Sequence, residues 1–244
     1  MLPDDPAALA GVIAIGLLSL SWHEAAHAWV ADRLGDPTAR QLGRVTLNPL
    51  RHLDPFLSFV LPALLYMVAG VIVGGGKPVP INVLNFRHRA RDFMLVALAG
   101  PGSNLLLAAA GAALFVLGAW TGLLERYVVD NPYGADQVFA PTFLPWNLAH
   151  STPEMLLKVG VLLNIGLAVF NLLPVPPLDG SRVIGWLLPR SLQLRWYALD
   201  RMGFLILVIG LLALDGVQYI WIGMLEVFNL VGVSIDQVAS LVTA

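Results

Sequence analysis

The sequence predicts an all-α polytopic membrane protein. It has about five to six membrane segments and a short membrane-associated β or re-entrant region after the first helix. Three observations carry this. Of 244 residues, 57% are hydrophobic and only 12% charged, where a soluble domain carries about 25% charged residues. Apolar runs of the roughly 20 residues needed to cross a bilayer recur along the chain. Between them lie basic or proline-broken stretches, so the chain alternates between apolar and interfacial surroundings. There is no cysteine, which removes disulfides and thiolate ligands from consideration. The net charge of -2 argues against a nucleic-acid partner. No repeat, low-complexity tract or long linker divides residues 1–244, so a single membrane domain is expected.

The first segment spans residues 7–31. The acidic Met1-Leu2-Pro3-Asp4-Asp5 start is a poor signal-peptide n-region, so this helix is expected to be retained. Within it, Ser21-Trp22-His23-Glu24-Ala25-Ala26-His27 contains H-E-x-x-H. His23 and His27 lie one helical turn apart on one face and can grip one Zn²⁺. Glu24 between them can then serve as general base. A buried His pair held by hydrogen bonds is the plainer reading, but it explains neither the spacing nor the glutamate. Ionisable groups in a membrane helix are functional sites by default.

Residues 32–91 are expected to form a cytoplasmic and re-entrant region. Residues 39–47 alternate weakly, like a strand, and Pro37, Pro49 and Pro55 forbid a long helix. His52 beside Asp54 reads as an interfacial or turn-capping residue rather than a ligand. Residues 33–51 and 77–91 are both basic, which favours the cytoplasm for both; the alternative is an ordinary span between them with one basic loop outside. The apolar stretch between them, 56–76, is too short to cross twice, so it is expected to dip in and return.

Residues 92–120 form the next helix. Its start, Ala99-Gly100-Pro101-Gly102-Ser103-Asn104, allows close helix approach. Asn104 either bonds a neighbouring helix or aims a donor into the site. Residues 121–153, with more acids than bases, suit an external loop, and His150 is a loop residue there. Residues 154–173 span again. In 174–189, Pro174, Pro176 and Pro177 break the helix and set Asp179 at the start of a short one. Broken helices build sites at depth. Asp179 can simply cap that helix, but two His ligands need a third, and it is the best-placed carboxylate. Residues 202–233 are the C-terminal membrane segments, read as one span and a partial one around Asp215.

With HEAAH, AGPGSN and NLLPVPPLDG in order, the chain resembles the site-2 protease family of intramembrane zinc metalloproteases, closest to its compact branch without a PDZ or CBS domain. GRVTLNPLRHLDP and GKPVPIN add to the likeness. The resemblance implies one Zn²⁺ per chain on His23, His27 and Asp179, with Glu24 as general base. It implies that Asn171 and Asn104 position substrate or stabilise the oxyanion. The implied reaction is endoproteolysis of transmembrane segments by metal-activated water. The implied partners are a transmembrane protein substrate and the lipid bilayer. The expected location is a prokaryotic cell (inner) membrane, multi-pass, with the site nearer the cytoplasmic face. An extended substrate is expected to pair with residues 39–47, and 56–76 to gate entry. The rivals are a metal-ion transporter or channel with intramembrane His and Asp ligands, and an inactive scaffold. The intact HEAAH and LDG argue against the second.

Overall fold

A computed structural model of the chain describes residues 6–69, 74–121 and 152–200, and positions 202, 203, 205, 207 and 209. The body of the expected external loop, with His150, and the C-terminal segments beyond residue 209, with Asp215, lie outside the described residues.

Among the described residues the structure is helical and contains no strand. Helix α1 runs Pro6–Arg33 and α4 runs Arg89–Thr121. At 1.5 Å per residue these reach about 42 and 50 Å, against an apolar bilayer core of about 30 Å. Both are long and apolar enough to cross a membrane. Helix α5, Thr152–Leu172, has a shorter apolar stretch. Helix α4 packs on both α1 and α5, and α1 also packs on α5. The buried residues there include several alanines: Ala28 and Ala31 on α1, Ala97 and Ala108 on α4, Ala168 on α5. Small residues let helix backbones approach closely where lipid offers no hydrophobic drive to associate. Two short helices complete the framework, α6 at Gly180–Leu187 and α7 at Arg190–Ala198. Helix α6 packs on α4 and α7.

The expected strand at 39–47 does not form. Residues Thr38–Gln41 instead make a single helical turn, α2. Gly43 closes it at φ 65°, with Gly43 N–H on Arg40 O and Arg44 N–H on Ala39 O. That paired bonding around a left-handed glycine is a helix stop. A weak alternation of side chains has no partner strand here to pair with, and local bonding wins. The apolar 56–76 stretch begins with a π-helical turn, Phe56–Val60, and continues as helix α3, Leu61–Ala69. Asp54 caps its start, accepting from Phe56 N and Leu57 N, so Asp54 serves a helix and not His52. The chain then comes back on itself, since Gly75 N–H reaches Leu57 O at 3.0 Å.

One carboxylate ties the turn after α1 to the segment before α4. Asp36 is fully buried. It accepts from Thr38 N–H and Oγ1, from Asn82 N–H at 2.7 Å and from Asn85 Nδ2 at 2.7 Å. Burial pushes its pKa up, but these hydrogen bonds outweigh it and hold the carboxyl below the usual range.

Candidate metal centre

Helix α1 presents His23 and His27 one turn apart on the face turned to α4. Both are buried. The two Nε2 atoms are 3.0 Å apart. Asp179 arrives from the other side. Prolines 174, 176 and 177 end α5, and Asp179 becomes the N-cap residue of α6. Its side chain makes no capping bond, so its carboxylate is free to point elsewhere. Its Oδ2 lies 3.2 Å from His23 Nε2 and 3.3 Å from His27 Nε2. These three form the metal-capable group found among the described residues.

The hydrogen bonds behind the ring fix where its protons are. Asn164 Nδ2 donates to Ser19 Oγ at 2.9 Å and to Gly160 O at 2.8 Å. Its Oδ1 therefore accepts from Asn104 Nδ2, at 2.7 Å. That orients the Asn104 amide, so its Oδ1 faces His23 Nδ1 at 2.6 Å and must accept a proton from it. Val96 O does the same for His27 Nδ1 at 2.7 Å. With protons on both Nδ1 atoms, the neutral rings turn bare lone pairs at Nε2 toward each other and toward a carboxylate oxygen. Asp179 Oδ2 is buried without a hydrogen-bond donor. Two imidazole nitrogens and a carboxylate oxygen converging here can hold a cation.

The spacing matches zinc. Ligands bonded at about 2.0–2.1 Å in a tetrahedron stand about 3.3 Å apart, and the three separations here are 3.0, 3.2 and 3.3 Å. The residues present thus fit the metal in chemistry and in size. Fixing Nδ1–H of a ligating imidazole by a neighbouring acceptor is the usual way a protein orients it. Gly100 makes the arrangement possible. A Cβ there would lie 2.4 Å from His27 Nε2 and 2.5 Å from His23 Cε1, so any other residue would push α4 off the imidazoles.

A cavity of about 510 Å³ opens on the cluster, lined by His23, Glu24, His27, Asn171 and Asp179 among largely apolar neighbours. Glu24 borders it beside the segment that returns from α3. A Cβ at Gly76 would lie 3.5 Å from Glu24 Oε1. Around that glycine, Gly75 N–H bonds Leu57 O and Lys77 N–H bonds His52 O. Ser58 Oγ bonds Gly75 O, and Arg44 Nη2 bonds Lys77 O. These bonds pin residues 75–77 against the turn before α3.

The structure therefore brings His23, His27 and Asp179 together with Glu24 beside them, and puts Asn171 on the cavity wall. It does not put Asn104 there. Asn104 is fully buried behind His23, with its amide bonded inward. His52 caps a turn, as the C-cap of Pro49–Arg51. It is buried, donates from Nε2 to Thr46 O at 2.7 Å and accepts Lys77 N–H on its carbonyl, as a strut under the returning segment. Asn164, Ser19 and Val96 were not singled out from the sequence. A polar Asn164 inside an apolar helix was the one available signal.

The family model of peptidase family M50 matches residues 10–210. A Bacillus subtilis protein and a Mycolicibacterium smegmatis protein, each named "Putative zinc metalloprotease" (YwhC and Rip2), are similar. The first is 35% identical over 84% of this chain and 81% of its own length. The second is 32% identical over 82% of this chain and 66% of its own length. Rip2 of Mycobacterium tuberculosis is 33% identical over 72% of this chain, which spans 58% of that relative. No solved structure matches the chain.

Proposed function

The chain belongs to peptidase family M50, the site-2 protease family, and on that premise we propose that it is a zinc-dependent endopeptidase that cleaves transmembrane segments of membrane-protein substrates. The observation that carries the reading is the triangle of two imidazole nitrogens and a carboxylate oxygen at the end of a cavity, with Glu24 beside it.

His23, His27 and Asp179 would hold the metal. When bound, zinc supplies a Lewis acid that polarises a peptide carbonyl and makes water more acidic. Glu24 takes the proton of the attacking water and returns it to the leaving amide nitrogen. Asn104 and Val96 keep both imidazoles in the ligating tautomer throughout. Asn171 uses one amide proton on Leu167 O at 2.9 Å, and on the cavity wall its amide can steady a substrate carbonyl.

A substrate helix must unwind before its carbonyls can react. Its freed backbone groups then need partners. With no strand at 39–47, we place that pairing at Gly76. Gly76 lines the cavity beside Glu24. Pro78 and Pro80 offer no further donors, which limits the register of pairing. Replacing a substrate amide near the cleaved bond by an ester should raise KM several-fold. Unchanged KM at every position tested would rule out backbone pairing.

The proposed setting is a multi-pass protein of a prokaryotic cell membrane, with α1, α4 and α5 crossing, residues 56–76 re-entrant and the site nearer the cytoplasmic face. The deciding experiment uses detergent-purified protein, a panel of single-span substrates and Glu24→Gln. Cleavage by the wild type, with Glu24→Gln binding zinc but not cleaving, supports the reading. Zinc flux in liposomes without cleavage of any substrate would favour the transporter instead.

A further inference from the structure

Asp179 reaches the imidazoles from a helix of only 8 residues that follows a proline-broken segment. Such a helix has little rigidity of its own, so something must hold it. Arg182 lies three residues on, on the same face of α6 as Asp179. Its guanidinium sits 5.0 Å from the centre of the Phe93 ring on α4 and 5.8 Å from that of Tyr197 on α7. The two rings themselves meet edge to face at 5.9 Å. Nη1 of Arg182 is ion-paired with Asp200 Oδ2. A second tie runs alongside, with Trp196 Nε1 donating to Ser181 O at 2.8 Å.

The position of Phe93 gives these contacts their meaning. It is three residues before Val96, whose carbonyl holds His27, and seven before Gly100, which lies against both imidazoles. All three are on one face of α4. The Arg182–Phe93 contact therefore sets the distance between α6 and the same helix face that seats the histidines. The side chain is also nearly buried, at 16% exposure, where a cation over an aromatic face is worth more than at the surface.

We propose that Arg182 is a positioning residue for the metal centre, a latch that holds Asp179 against His23 and His27. It acts through α6; because its side chain also lines the cavity, the readouts must be ones that a substrate contact alone would not move. The proposal rests on the zinc reading above, so its test must separate the two. The measurements are the zinc Kd by chelator competition and the visible absorption of the cobalt(II)-substituted protein, neither of which needs catalysis. In Arg182→Gln the zinc Kd is expected to rise about 10–100-fold, as for other residues that orient ligands. The cobalt bands should shift as they do in Asp179→Asn. Arg182→Lys, which keeps a cation over the Phe93 ring, should recover part of the affinity. Asp200→Asn should move both readouts the same way by less, and it serves if Arg182→Gln does not fold. An unchanged Kd with an unchanged cobalt spectrum overturns the latch, and so does lost cleavage alone, which would make Arg182 a substrate contact. No His23-dependent zinc binding in the wild type would instead sink the zinc reading itself.

Discussion

Two buried polar clusters in this molecule have similar ingredients and opposite accounting. At Asp36, one carboxylate faces donors from Thr38, Asn82 and Asn85, and its acceptors are met. At His23, His27 and Asp179, two imidazole nitrogens and a carboxylate oxygen face one another, and Asp179 Oδ2 has no hydrogen-bond partner of its own. A satisfied cluster holds the fold together. An unsatisfied one costs stability unless a ligand completes it. The difference separates structural from functional polarity here better than burial does, since His23 and His27 are buried as Asp36 is.

The contrast breaks most sharply at the ligands. Removing one of them, as in His27→Ala, should abolish stoichiometric zinc and cleavage together, while the apoprotein stays at least as stable to heat. Retained zinc with full activity would end the metal-centre reading. Next in size is Gly100→Ala, whose methyl would occupy the space of the imidazoles. Zinc content should fall severely although no polar atom changes. Asn104→Ala should weaken zinc binding about 10–100-fold by freeing His23 to change tautomer, measured by chelator competition. An unchanged Kd would show that the Asn104–Asn164–Ser19 network is only packing.

The Asp36 cluster should answer in the other currency. Asp36→Asn leaves donors facing an amide and should cost about 1–3 kcal/mol of stability, read by denaturation in detergent, with zinc affinity unchanged. Smallest is the pH effect. The carboxyl is held below its ordinary 3.8, so its stabilisation is present above that value and disappears as pH falls through the lower, folded value. Wild-type stability should therefore fall below about pH 4 more steeply than that of Asp36→Asn. Parallel curves would show that Asp36 contributes nothing by its charge.

How much of this could be read from the chain varies with the range of the cause. Helix propensity and apolar length act locally, so the helical class and the two long apolar helices were legible, as was the proximity of His23 and His27. The strand at 39–47 was misread because its weak alternation lost to a glycine stop at Gly43. The buried place of His52 was missed because it depends on Thr46 and Lys77 closing over it.

By itself the sequence determined the class of the protein, the pair of histidines with Glu24 between them, and the broken segment that delivers Asp179. Those follow from helical period, hydropathy and proline, which need no distant partner. Only the tertiary structure decided which way each imidazole faces and that Asn104 stands behind the site rather than in it. It also showed that Gly100 is the space the rings occupy. These depend on contacts between residues 69 to 85 apart in the chain, and no local pattern encodes where α1, α4 and α6 come to touch.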